Sequence, residues 1–330
     1  MWQKFKKNRR GYYSLLIFAA ICFATFFAEI IANDKPLLVK YNDGYYFPIL
    51  QSYAETSFGG ELKSEADYRD PFVKNLINKK GWIIMPPIPF SYDTINFAIN
   101  SPAPSKPDYT NWLGTDDQGR DVLARAIYGI RISLIFGLIL SFFSATIGIF
   151  FGAIQGYFGG LLDLLFQRFM EIWSSMPMLF LLIILSSIIE PGFFSLLFLM
   201  LLFSWMAMVG FVRAEFLRLR NFDFVRSAKA LGGGDYYIIF RHILPNASPI
   251  ILANLPFLIA GSITTLTALD FLGLGMPAGS PSLGELLAQG KNNITAYWIG
   301  LAGFFIITII LTLLVFIGEA LRNTFDSRSG

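Results

Sequence analysis

Residues 224–245 read FVRSAKALGGGDYYIIFRHILP. Long apolar stretches flank this basic island, and its spacing is helical. Phe224, Ala228 and Leu231 recur at intervals of three and four, so they share one helix face, with Arg226 and Lys229 on the other side. Asn221 or Asp223 is placed to cap that helix. Gly232, Gly233 and Gly234 stop it and permit a sharp reversal through positive φ. Asp235 can cap a second amphipathic helix whose apolar side includes Tyr236, Ile239 and Phe240, and Leu244-Pro245 closes the segment. An apolar anchor with a basic rim suits a groove on a soluble partner. It equally suits an amphipathic helix resting at lipid headgroups. The pattern alone leaves both readings open.

Apolar residues make up 54% of the chain and charged ones 15%, which places it in the membrane class. Six stretches without Asp, Glu, Lys or Arg are long enough to cross a bilayer: Arg10 to Glu29, Arg131 to Asp163, Glu171 to Glu190, Glu190 to Arg213, Arg241 to Asp270, and Lys291 to Glu319. A crossing needs about 20 mostly apolar residues, because the hydrocarbon core is about 30 Å thick and a helix rises about 1.5 Å per residue. Backbone groups cannot stay unpaired in lipid, so helices are expected. The expectation is therefore an all-α integral membrane protein with six transmembrane helices, at 12–32, 132–157, 172–189, 192–212, 247–269 and 296–318. Glu190-Pro191-Gly192 would form the hairpin between the third and fourth.

Basic residues set the orientation. Lys4, Lys6, Lys7, Arg9 and Arg10 hold residues 1–11 in the cytoplasm. Counting four crossings puts residues 213–245 there too, in agreement with Arg213, Arg218, Arg220, Arg226, Lys229 and Arg241. Residues 321–330 follow on the same side, and 33–131 become a large extracytoplasmic loop. The first apolar stretch is long and lacks a small-x-small cleavage site, so it reads as a retained anchor.

The large loop is aromatic at Tyr41–Phe47, charged at Glu55–Asp70 and proline-rich at Met85–Pro107. Its apolar content looks thin for an independent core, so a partly ordered cap is expected. It ends with NWLGTDDQGRDVL at 111–123. Thr115 or Asp116 can cap a helix from near Gln118, or Asp121 can begin its first turn. Asp121 and Arg125 are four apart and can pair. The acids lack the glycine and glutamate positions of an EF-hand calcium loop. A structured lead-in to the second crossing is the plainer reading, and docking of an external partner is the other.

Leu113–Leu123 resembles an element of the dipeptide/oligopeptide (Opp/Dpp) ABC-importer permeases. Gly129–Leu134, Gly156–Gly160, Ser227-Ala228 with Gly232 and Leu244-Pro245 (the family's EAA loop), and Phe271–Gly275 follow in the family's order. The resemblance covers residues 111–320. The enlarged loop and Gly279–Glu285 are most similar to the Yej-type subunit of peptide and microcin uptake systems. What the resemblance implies is a type I ABC importer permease fold in the inner membrane and a heterodimer with a homologous permease subunit. It also implies two ABC ATPase subunits and an extracytoplasmic peptide-binding protein. The ATPases would dock on Phe224, Val225, Arg226, Ser227, Ala228, Lys229, Ala230, Leu231, Gly232 and Pro245. ATP and Mg would be bound by those partners, with no cofactor on this chain. The external family element is Gly114, Thr115, Asp116, Gly119, Arg120 and Asp121. The sequence departs from the family at Arg226, Ser227 and His242, and at Asp270, where Ser is usual. Asp270 follows Thr264, Thr265 and Thr267, which makes it a candidate pathway residue; the alternative is a headgroup-level position, as for Glu29 and Glu190.

Gly290-Lys291 lacks the rest of a P-loop, so ATP hydrolysis of that kind is excluded. One histidine and one cysteine exclude a His/Cys zinc cluster, and no metal site is expected. Cys22 has no partner for an intramolecular disulfide. No enzyme activity is expected. The net charge of +3 is explained by cytoplasmic loops, so lipid, not nucleic acid, is the expected surrounding. A self-sufficient secondary transporter or channel, the alternative function, would carry ionisable groups near the bilayer midplane. An intramembrane enzyme would need polar pairs there. The six stretches offer neither. Small residues in Ser141–Gly160 are expected to permit close helix packing.

Overall fold

The computed structural model describes residues 2–99, 101–186, 188–190 and 192–325. It divides into two compact units, one of residues 1–20, 133–277 and 307–330, the other of 21–132 and 278–306.

In chain order the elements begin with helices α1 (Trp2–Lys7), α2 (Arg9–Phe26) and α3 (Ala28–Ile31). Strands β1 (Leu38–Tyr41) and β2 (Gly44–Tyr46), helix α4 (Pro71–Asn78) and strand β3 (Gly81–Ile84) follow. Then come α5 (Val122–Phe158), α6 (Gly160–Ser174), α7 (Met178–Ser186), α8 (Phe193–Leu219), α9 (Asp223–Ala230) and α10 (Asp235–Tyr237). A π-helical stretch, Ile238–Ile243, leads into α11 (Leu244–Phe271), and α12 (Leu283–Asn292) and α13 (Tyr297–Phe325) complete the chain.

Among the described residues, four helical segments are long and apolar enough to cross a membrane: α5, α8, the continuous Asp235–Phe271 stretch, and α13. The pair α6–α7, bent by 63°, would make a fifth. This corrects the expected third crossing at 172–189, which straddles the bend. The chain changes direction around Ser175-Met176-Pro177, where proline disfavours helix for its predecessor. α2 is not among the four; two of its 18 residues are arginines, which lower its mean hydropathy. α5 begins ten residues before the expected 132, because the family element caps it directly. α8 runs on to Leu219, so the expected loop 213–245 is shorter as a loop, and α13 runs on to Phe325, past the expected 318. The hairpin expected at Glu190-Pro191-Gly192 includes Pro191, outside the described residues, as are 326–330 of the expected C-terminal tail.

In the first unit, three glycines four apart on α5 face α8. A Cβ on Gly148, Gly152 or Gly156 would lie 2.6, 2.7 or 2.5 Å from the β-carbons of Met208, Val212 and Phe216. Only glycine permits that approach, which gives helices in lipid their dispersion contact. Hydroxyls add cross-links: Ser144 to Ser204 at 2.5 Å and Ser141 to Ser262 at 3.1 Å. The expectation of close packing in 141–160 is met.

The second unit corrects the all-α expectation. β1 pairs antiparallel with both β2 and β3. A two-residue turn joins β1 to β2, with Asn42 at φ +51°, a left-handed conformation that asparagine tolerates. Val39 and Tyr41 alternate inward onto Phe58, which is fully buried. The rings of Tyr41, Tyr46, Tyr53 and Tyr68 meet Phe58 edge-on, with centroids 5.2–6.4 Å away. Asp70 caps α4 by accepting from the Phe72 amide at 2.8 Å, with Pro71 at the first helical position. The segment expected to lack a core thus has one, built mainly from aromatics.

Candidate functional site

α9 is the expected first helix of the quoted segment. Neither Asn221 nor Asp223 caps it: the N-cap is Phe222, without a side-chain bond, and Asn221 donates to the Leu217 carbonyl. Its C-terminus closes as the glycines require. Gly232 takes φ +82°, its N–H donates to Lys229, and the Gly233 N–H donates to the Ala228 carbonyl. This double bond is the Schellman closure.

The apolar residues of this segment divide between the protein's own core and its surface. Val225 is fully buried and Ala228 nearly so, against Phe216, Leu219, Ile238 and Ile243. Phe224 packs partly on the same core, whereas Leu231 is 88% exposed. The helix ends at Ala230, and Leu231 follows as its C-cap, with its N–H still donating to the Ser227 carbonyl. Exposed with Leu231 are Tyr236, Tyr237 and Phe240, and the rings of Tyr236 and Phe240 lie 4.5 Å apart between centroids, tilted by 38°. Arg226 and Lys229 are exposed beside them.

Leu244-Pro245 does not end the second helix. Pro245 has no N–H and its ring would clash with the carbonyl four residues back in a regular helix. The π-helical stretch directly before it widens the turn, with the Leu244 N–H donating to Ile239, five residues back. Asp235 does not cap its own helix; its carboxylate accepts from the Tyr157 hydroxyl at 2.5 Å.

Asp270 sits at the end of α11, where it accepts from the Met276 amide at 2.7 Å and so holds the turn at 271–276.

In the second unit the family element wraps an ion cluster. Gly114 and Gly119 adopt φ +73° and +79°. Buried Asp116 accepts from the amides of Gln118 and Arg120, and takes the Arg120 guanidinium at 2.7 Å. Arg125, fully buried, reaches Glu285 at 2.9 Å and Asp116 at 3.4 Å. Its two terminal nitrogens also donate to the carbonyls of Tyr92, Gly279 and Ser280, while the buried Nε has the Asp116 carboxylate at 3.4 Å and no hydrogen bond. Arg120 also meets Glu285, at 3.4 Å. Two arginines thus face two carboxylates, and the buried charges balance. The Thr115 hydroxyl accepts from the Ser105 amide, and its carbonyl accepts from the Trp298 indole.

The expected Asp121–Arg125 pair is not made. Asp121 instead caps α5: one oxygen takes the Ala124 amide at 2.7 Å, the other takes the Asn111 side-chain amide at 2.8 Å. Burial pushes its carboxyl above the usual range. Thr115 and Asp116 do not cap a helix, because residues 116–120 form a turn held by Asp116.

Residues 148–329 match the family of binding-protein-dependent transport system inner membrane components. The chain belongs to this family. It is an inner-membrane, multi-pass permease subunit of an ABC transporter. It is 56% identical, over 98% of its length and 95% of the relative's, to the Inner membrane ABC transporter permease protein YejE of Escherichia coli K12. A second relative, the Peptidoglycan transport system permease protein YejE of Agrobacterium fabrum C58, is 54% identical over 99% of this chain and 92% of its own. The Oligopeptide transport system permease protein OppC of Lactococcus lactis IL1403 is 36% identical over 66% of this chain and 75% of its own.

Proposed function

We propose that this permease subunit forms, with a homologous subunit, the pathway for ATP-driven uptake of peptides or peptide-like compounds, microcin-type peptides among them. The names of its relatives, which include peptidoglycan and oligopeptide transport systems, support that substrate class. Two cytoplasmic ATPases dock on the 223–243 loop, bind ATP and Mg, and carry the chemistry; an extracytoplasmic binding protein delivers substrate. α2 makes the first of six crossings and the bent α6–α7 pair the third. Both termini are cytoplasmic and the sheet-bearing lobe is external. ATP-driven closure of the ATPases shifts the bundle between its two accessible states, through the difference in binding free energy between them.

The observation that carries the reading is the loop's split character. Val225 and Ala228 anchor it to the permease, while Leu231, Tyr236 and Phe240 stand exposed beside Arg226 and Lys229. That is the form of a helix-in-groove contact. The test is copurification of the tagged chain with its genomic neighbours in detergent. Recovery of ATPases with wild type and their loss with Leu231→Asp is expected. Undiminished transport by the chain alone in proteoliposomes, without ATP, would establish the secondary-transporter alternative instead. In a Cys22→Ala background, Tyr109→Cys is expected to react with an impermeant thiol reagent in intact cells, and Leu231→Cys only after permeabilisation.

A further inference from the structure

Tyr157 stands in the last turn of α5 and is 5% exposed. Its two ends serve different parts of the loop. The hydroxyl donates to Asp235, just after the glycine break, at 2.5 Å. The ring face carries the Lys229 ammonium, just before the break, 4.9 Å from its centroid. The backbone around it is fixed from α8: Arg220 donates to the carbonyls of Gly156 and Tyr157 at 3.2 and 3.3 Å. One side chain thus makes polar contacts with both limbs of the loop, across the Gly232–Gly234 break, beside the apolar packing of Val225 and Ala228.

We propose that Tyr157 is the positioning residue that transmits movement of this loop into α5. Without it, the glycine hinge absorbs a displacement of α9; with it, α9 and the start of α10 move with the end of the spanning helix. This inference rests on the reading that ATPases dock on the loop. Tyr157 itself contacts neither ATP nor substrate in that reading. It acts through Lys229 and Asp235. The polar ring substituent has a further consequence: the hydroxyl–carboxylate bond is charge-assisted, which makes it short and directional.

The test uses the whole transporter in proteoliposomes with its loaded binding protein. Tyr157→Phe removes only the hydroxyl. It is expected to keep full ATPase recovery and basal hydrolysis, while stimulation by loaded binding protein and uptake each fall about tenfold or more, the scale of one charge-assisted hydrogen bond. Asp235→Ala is expected to match it, and the double variant to be no worse than either single one, because both remove the same bond. Asp235→Asn keeps an acceptor and should restore most of the stimulation. Normal stimulation and uptake in Tyr157→Phe would overturn the proposal, as would additive losses in the double variant. Failure of the docking reading is distinguishable, since wild type itself would then recover no ATPases.

Discussion

The 223–243 loop and the Asp116–Arg120–Arg125–Glu285 cluster handle polarity in opposite ways. In the loop, apolar groups lie exposed: Leu231, Tyr236 and Phe240. In the cluster, charges lie buried: Asp116 and Arg125 have no exposed side-chain surface. Each runs against the ordinary rule for its residue type. In the docking proposed above, a partner covers the loop's exposed apolar groups. The cluster's charges are instead paired within the chain, by one another and by three carbonyls, with only the Arg125 Nε lacking a hydrogen bond among its donors. The loop's energetics thus depend on what lies outside the chain, and the cluster's on what lies inside it.

The largest expected effect breaks the cluster. Arg125→Met leaves Asp116 and Glu285 facing Arg120 alone, and losing one partner of a buried pair costs about 3–5 kcal/mol. Poor recovery of monodisperse protein and a lower unfolding temperature in detergent are expected. A wild-type unfolding temperature would mean that the cluster contributes nothing to stability. Next comes the contrast inside the loop. Phe224→Asp puts a charge against the permease's own core, so it is expected to destabilise the chain itself by about 1–3 kcal/mol. Leu231→Asp should change stability by less than about 0.5 kcal/mol and act only on ATPase retention. Equal unfolding temperatures for the two would remove the distinction between anchored and exposed faces.

Smaller effects separate two carboxylates of the second unit. Asp121 titrates above the usual range because of burial. The folded state therefore holds its proton longer, and stability falls as pH rises from the ordinary carboxylate value through the raised one. Asp121→Asn should flatten that part of a pH–unfolding profile. Glu65 has the opposite sign: the Lys35 ammonium at 2.5 Å lowers it. Its contribution is present above the ordinary value and is lost as pH falls through the lower folded one. The pair is exposed, so Glu65→Gln should cost less than about 1 kcal/mol. A steeper acid loss in Glu65→Gln than in wild type would contradict the assignment.

The loop was legible in sequence because its signals are local. Helix spacing, the triple glycine and the flanking apolar runs all lie within about one and a half helical lengths of each other. The exposure of each residue was not legible: Leu231 keeps the three-residue spacing from Ala228, yet Ala228 is buried and Leu231 exposed, because burial depends on the distant residues that α9 packs against. The cluster was not legible. Glu285 is 160 residues from Arg125, and nothing local to either announces the other. The four-residue rule offered Asp121 to Arg125, yet a cap on α5 and the Asn111 amide had the prior claim. The sheet was missed for a related reason. Its strands have three or four residues each, too short for alternation to stand out from composition. Tyr157 had no signal beyond its place in the family's Gly156–Gly160 element; only the fold brings Asp235 to it.

The glycine ladder on α5 repeats every four residues, and so do the residues it faces, Met208, Val212 and Phe216. Such a seam behaves like a toothed rack. A slide by one tooth, four residues and about 6 Å of rise, would bring Gly148 to Val212 and Gly152 to Phe216, keeping two of three seats filled. Intermediate offsets would drive side chains onto backbone. The seam thus fixes the register of the two helices in steps of a whole tooth, and a methyl group added at any of the three glycines would have to push α8 away.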